Sequence, residues 1–266
     1  FALPFAFSGM LAAARGWPGW SVVLLVIACM VTARTAAMTW NRIADRDVDA
    51  KNPRTAQRAL PAGRVSLVGA WTLLLVSAVG FAWAAASLNR LTLILAPVAL
   101  AVVLFYSLTK RFTWACHFVL GLSLSIAPIG AWIAVRGRLD VEVLWLGLGV
   151  LLWTAGFDTL YACQDADFDR DAGLRSLPAR FGVARALLLA RACHVGAAIA
   201  LVVFGPAWSL GWPYLLAVGL AAGVMAWSHS LVSADDLSRV GVAFFQANVT
   251  VSVLVLVGVI GAVVLG

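Results

Sequence analysis

The sequence predicts an all-α integral membrane protein of about nine transmembrane helices. Two observations carry that prediction. Of the 266 residues 63% are hydrophobic and only 12% charged, where a soluble domain carries about a quarter charged residues. The apolar residues also fall into long runs, several of them near the roughly 20 residues needed to cross about 30 Å of hydrocarbon.

Nine such runs are predicted, at about 1–14, 20–41, 66–88, 91–109, 114–135, 141–163, 183–204, 208–228 and 243–265. Together they form one transmembrane domain over 1–266. The first run is short, as expected of a chain whose N-terminal segment lies upstream of Phe1. The break between the seventh and eighth runs is the weakest and rests on Pro206 and Pro213. Cys29, Cys116, Cys163 and Cys193 are scattered through apolar stretches without paired spacing, so they are expected to be small core residues and no disulfide is predicted.

The net charge of +7 is not that of a nucleic-acid-binding protein. The connections at 42–65, 110–113, 164–182 and 229–242 hold most of the cations, including Arg42, Arg46, Lys51, Arg54, Arg58, Arg64, Lys110, Arg111, Arg170, Arg175, Arg180 and Arg239. The alternate connections hold only Arg15, Arg90, Arg136 and Arg138. By the positive-inside rule the first set is cytoplasmic, with the N-terminus inside. The expected location is therefore the cell's inner (plasma) membrane, with the functional face towards the cytoplasm.

Two acidic stretches lie on that face. In NRIADRDVD, Asn41, Asp45 and Asp49 recur every four residues and line one narrow side of a helix. In YACQDADFD, Tyr161, Asp165 and Asp169 repeat the spacing four spans later, which suggests an internal repeat. A single DxxxD is as well explained by helix capping and pairing with loop arginines. Two of them, on one side and each closing an apolar helix, point instead to a shared cation. Hard oxygen ligands without a histidine or thiol cluster favour Mg²⁺, which keeps several waters and is completed by substrate phosphates. On this reading Asn41, Asp45, Asp49, Asp165 and Asp169 are the expected metal ligands, the two ladders facing each other across an Mg²⁺–diphosphate.

Other residues are weighed around that centre. Asp47, Asp167 and Asp171 are displaced from the principal face, and solvated or arginine-paired roles suit them. Asp158, two turns deeper than Asp165 on the same face, is expected to steer a substrate hydroxyl or to pair with a buried arginine. Lys51, Arg54 and Arg58 trail the first ladder, and Lys110 and Arg111 close the fourth span beside Tyr106. They suit phosphate oxygens, although lipid headgroups explain basic loops as well. Arg34 and Arg191 fall within apolar spans and are expected to need buried partners. His117, His194 and His229 are isolated in sequence and are expected to be packing or interfacial residues, and Gln246 and Asn248 interhelical hydrogen-bonders.

At these residues the chain resembles the UbiA superfamily of intramembrane aromatic prenyltransferases. The likeness is densest in NRIADRDVDAKNPRTAQRALPAG (41–63), where Asn41, Asp45 and Asp49 match an NxxxDxxxD signature. It is equally dense in GFDTLYACQDADFDRDAGLRSLPARFG (156–182), where Asp165 and Asp169 match a DxxxD signature with Asp158 and Tyr161 upstream. YSLTKR (106–111) is similar to the family's basic loop, which adds Tyr106, Lys110 and Arg111, with Arg54, Arg58 and Tyr161, to the expected substrate contacts. The resemblance implies helices around a central cavity, a cytoplasmic cap, and a lateral opening to membrane lipids. It implies Mg²⁺-dependent transfer of a polyprenyl group from polyprenyl diphosphate to an aromatic acceptor, first of all 4-hydroxybenzoate, in ubiquinone or menaquinone biosynthesis. Asp45, Asp165 and Asp158 are the expected catalytic acids. The weighed alternatives are a relative using a naphthoate, chlorin or glycerol ether acceptor, and a secondary transporter, whose acids would sit nearer the membrane midplane.

Overall fold

The computed structural model describes residues 1–52 and 55–265. Among these there are helices and connecting turns and no strand, as backbone surrounded by lipid requires. The order is α1 (Ala2–Ala14), α2 (Trp20–Ala44), α3 (Arg46–Lys51), α4 (Leu67–Leu88), α5 (Arg90–Thr109), α6 (Cys116–Arg136), α7 (Val143–Ala162), a 3-10 turn (Cys163–Asp165), α8 (Ala166–Asp171), α9 (Leu177–Phe181), α10 (Val183–Ala207), α11 (Trp212–Ser230) and α12 (Val240–Leu265).

Every apolar run expected from the sequence forms a helix. Among the described residues seven stretches meet the length and hydropathy needed to cross a membrane, so the expected count of nine is not reached there on those grounds. Helix α1 has 13 residues. Helix α11 carries Trp212, Pro213, Tyr214, Trp227, Ser228, His229 and Ser230 at its ends and lies outside the seven. Helix α10 absorbs Pro206 in its last turn, so the break after it falls at 208–211.

The chain divides into two compact units, residues 20–108 and residues 1–19 with 109–266. In the first, α2 packs mainly against α4, where Gly80 lets the helices approach over the Thr32 methyl. Val68, Val79 and Trp83 of α4 and Ile94 and Val98 of α5 are exposed. So large an apolar surface suits lipid and would drive aggregation in water.

In the second unit α7 lies between α6 and α10, with α1 against α6 and α11 against α12. Its core centres on Phe5, Trp132, Trp153, Phe204 and Tyr214. Lipid tails provide no hydrophobic drive to associate, so close backbone approach and buried hydrogen bonds hold such helices together. A Cβ at Gly9 would run into the carbonyl oxygen of Pro128, and one at Gly121 into that of Leu151. The Tyr214 hydroxyl donates to Leu201 O at 2.9 Å, and the Trp208 indole donates to Ala12 O at 2.7 Å. All four cysteines are free.

Candidate active site

Each acidic ladder is built the same way. Helix α2 stops at Ala44 and α3 begins at Arg46, with Asp45 at φ −96°, ψ 7° as the N-cap between them. In the other unit the 3-10 turn ends at Asp165, the N-cap of α8, at φ −100°, ψ 9°. Both central aspartates thus occupy the same sparsely populated bridge region, where short polar side chains tolerate a break in the helix. The break preserves the register. Asp45 N–H donates to Asn41 O at 2.9 Å and Asp49 N–H to Asp45 O at 2.7 Å, so the four-residue spacing read from the sequence survives as a continuous ladder.

The last aspartate of each ladder is buried and held by a cation. Arg58 Nη1 donates to both carboxylate oxygens of Asp49, at 2.7 and 2.8 Å, and Arg42 stands 3.9 Å away. The Thr55 hydroxyl donates to Asp49 O at 3.0 Å and folds the following loop back onto it. Lys110 Nζ likewise donates to both oxygens of Asp169, at 3.2 and 3.1 Å. Burial opposes the charge on Lys110, but the Asp169 carboxylate outweighs it and raises the lysine pKa above its ordinary value. The middle residues, Asp45 and Asp165, are half-buried. Asn41 Nδ2 donates to Asp45 Oδ2 at 2.9 Å, which turns that carboxylate along the ladder face.

The basic loop before α6 and the segment after α8 are laced together. Arg175 N–H donates to Lys110 O at 2.6 Å, its guanidinium donates to Phe112 O at 2.8 Å, and Leu174 N–H donates to Asp169 O at 2.7 Å. Asp158 does not pair with a buried arginine. Its Oδ2 lies 2.6 Å from His117 Nδ1, and His117 Nε2 lies 3.2 Å from the Leu177 backbone nitrogen. Tyr161 is half-buried with its ring 4.3 Å from that of Phe244.

The remaining expected residues fall as follows. Tyr106 is half-buried near the end of α5, Arg111 is exposed, and Arg54 lies outside the described residues. Asp47 pairs with Arg46 at 3.2 Å and Asp167 with Arg170 at 3.0 Å, all on exposed surface. Arg34 and Arg191 are exposed on their helices. The histidines are not isolated. His117 meets Asp158, and His194 Nδ1 meets His229 Nε2 at 2.9 Å. Sequence spacing hides both contacts, since the partners lie 41 and 35 residues apart. The signal available was the rarity of ionisable side chains inside apolar spans.

Among the described residues no three acidic, histidine or cysteine side chains converge on one point. The donors present nevertheless fit a hard divalent ion. They are carboxylate oxygens with no thiolate or imidazole beside them, and Mg²⁺ takes one or two protein carboxylates and leaves its other positions to water and phosphate.

The UbiA prenyltransferase family model matches residues 2–263. The chain is 34% identical to a 4-hydroxybenzoate octaprenyltransferase of Vibrio parahaemolyticus, over 89% of this chain and 83% of that one. It is 33% identical to another from Tolumonas auensis, over 93% and 86%. Among solved structures, a UbiA homolog from Aeropyrum pernix K1 shares 34% identity with a TM-score of 0.87, covering 99% of this chain and 96% of that one. A UbiA homolog from Archaeoglobus fulgidus, bound to GPP and Mg²⁺, has a TM-score of 0.70 at 17% identity, covering 99% and 95%, and shares the fold. The chain therefore belongs to the UbiA prenyltransferase family and is a multi-pass membrane enzyme that transfers prenyl groups.

Proposed function

We propose that the chain, acting as one transmembrane domain, transfers a polyprenyl group from polyprenyl diphosphate to the ring of 4-hydroxybenzoate, releasing diphosphate, in quinone biosynthesis. The acceptor follows from the relatives that share about a third of their residues with it over most of both chains. The chemistry is supported by the doubled acidic turn, in which a half-buried aspartate precedes a buried one already paired with a cation. That arrangement separates two tasks. In this reading Asp45 and Asp165, with Asn41 donating to Asp45, would be the carboxylates that hold Mg²⁺. Asp49 and Asp169 hold Arg58 and Lys110, whose remaining N–H groups are free to meet diphosphate oxygens.

Bound Mg²⁺ would supply neutralisation of the charge that develops on the departing diphosphate. Lys110 and Arg58 add fixed positive charge for the same leaving group, and Arg111, Arg54 and Tyr106 are further contacts in this reading. The C1–O bond of the prenyl diphosphate breaks, a ring carbon ortho to the phenol bonds to C1, and that carbon then loses its proton. Asp158 and Tyr161, on successive turns of α7, are the proposed contacts for the acceptor. The functional face is cytoplasmic and the membrane the plasma membrane, in keeping with the cation-rich connections.

The test is turnover. Purified protein in lipid should convert a polyprenyl diphosphate and 4-hydroxybenzoate into a prenylated acid identified by mass. EDTA should stop the reaction and Mg²⁺ restore it. Absence of product with 4-hydroxybenzoate, but turnover of a naphthoate or a glycerol ether, would reassign the acceptor; chelator-resistant turnover would remove the metal.

A further inference from the structure

His117 is fully buried in the first turn of α6 and makes two directed contacts, one from each ring nitrogen. The Leu177 contact assigns the ring's protons. A backbone N–H can only donate, so Nε2 must accept, and the single proton of the neutral imidazole sits on Nδ1. Nδ1–H then donates to Asp158 Oδ2 at 2.6 Å. A second proton on the ring would set two donors against each other at Nε2, so the ring cannot pass a proton onward without releasing Leu177.

Leu177 is the first residue of α9, whose N-cap is Ser176, and its N–H is one of the donors that a helix start leaves without an intrahelical partner. Leu177 and Ser176 are themselves buried. The segment after the second acidic ladder is therefore docked onto the same imidazole that holds Asp158, and one side chain joins α6, α7 and α9.

We propose that His117 is a positioning residue for prenyl transfer: it fixes Asp158 as an oriented, acceptor-only carboxylate for the acceptor's ring hydroxyl, and the docked Leu177 N–H selects the tautomer that does so. This rests on the reading of Asp158 as an acceptor contact. With Oδ2 occupied by Nδ1–H, the other oxygen of Asp158, on a side chain 22% exposed, is left to receive a phenol O–H. A hydroxyl held in that way pushes electron density towards its ortho carbons, where the new bond forms. His117 never touches substrate.

Two substitutions separate the two contacts. In His117→Asn the amide nitrogen stands where Nδ1 stood, so the donor to Asp158 is kept and the Leu177 acceptor is lost. In His117→Gln the amide oxygen reaches the Nε2 position, so Leu177 stays tethered and the donor to Asp158 is lost. Both variants, Asp158→Asn and Asp158→Asn/His117→Gln are assayed in lipid, with kcat and KM taken for each substrate separately. Loss of a hydrogen bond to a charged group predicts a fall of about 10- to 100-fold in kcat/KM for the phenolic acceptor in H117Q. The KM for prenyl diphosphate should be unchanged, H117N should stay near wild type, and the double variant should be no worse than D158N. Trypsin cleavage after the exposed Arg175 should respond the other way, about 5-fold faster in H117N and unaltered in H117Q. Equal acceptor kinetics in H117Q and H117N, or a defect confined to the prenyl diphosphate KM, overturns the role of His117. A wild-type enzyme that turns over only acceptors without a ring hydroxyl overturns the reading of Asp158 beneath it.

Discussion

The Lys110–Asp169 pair allows a magnitude to be worked from the structure. The Asp169 side chain is 2% exposed and the Lys110 side chain 36%, with Nζ within 3.2 Å of both carboxylate oxygens. Lys110→Met leaves a buried carboxylate without its cation. Breaking a fully buried pair from one side costs about 3–5 kcal/mol. Water reaches the lysine side of this one, which discounts the figure to about 2 kcal/mol. For a chain of this size that corresponds to a fall of about 4–8 °C in melting temperature. Removing both charges in Lys110→Met/Asp169→Leu should recover most of the loss, since an apolar pair of similar volume avoids the desolvation of two ions. The assay is thermal unfolding in one detergent, followed by tryptophan fluorescence, for wild type, both single variants and the double. The pH dependence has a definite sign. The folded-state lysine pKa lies above its ordinary 10.5, so the contribution is fully present below that value and is lost as pH rises through the raised one. Wild type and K110M should therefore differ at neutral pH and converge only in strong alkali. A K110M protein that melts with wild type at pH 7, or a double variant no better than K110M, would refute the reasoning.

The remaining predictions concern the other ladder, the two central acids and the helix packing. Asp45→Asn and Asp165→Asn should each lower kcat/KM by at least about 100-fold, while melting temperatures hold because both side chains are half-buried; steady-state rates across an Mg²⁺ titration check this. Arg58→Ala should destabilise by about 1–2 kcal/mol, less than full burial would give, because Arg58 is 30% exposed beside an Asp49 side chain at 8%; thermal unfolding reads it. Gly121→Ala, whose Cβ meets the Leu151 carbonyl, should cost about 1–3 kcal/mol. Gly130→Ala on the same helix meets nothing within 4 Å and should be neutral or slightly stabilising, and comparing the two melts isolates the packing term.

Helix positions were legible because hydrocarbon length and backbone satisfaction dictate them locally. Asn41–Asp49 and Tyr161–Asp169 were legible as ladders because a four-residue spacing is a local property, and the structure keeps it across the break at Asp45. What a local pattern does not contain is which face of an apolar helix meets which neighbour. Helices α4, α7 and α12 are apolar nearly all round, so no amphipathic stripe orients them. Their rotation is decided by glycines such as Gly121 and Gly156, where backbone or a histidine ring comes too close for a Cβ, and by a few buried polar contacts.

The division between sequence and tertiary structure follows from that. By itself the sequence determined the class of molecule, the places where the chain is helical, the two acidic turns and the hard-ligand chemistry they suit. Only the tertiary structure decided the partners. Asp169 takes Lys110 across 59 residues, Asp158 takes His117 across 41, and His194 takes His229 across 35. A charge inside a membrane protein must find a counter-group, and any of several candidates would satisfy composition. Which one it finds depends on helix rotation and depth, fixed by packing that no single segment encodes.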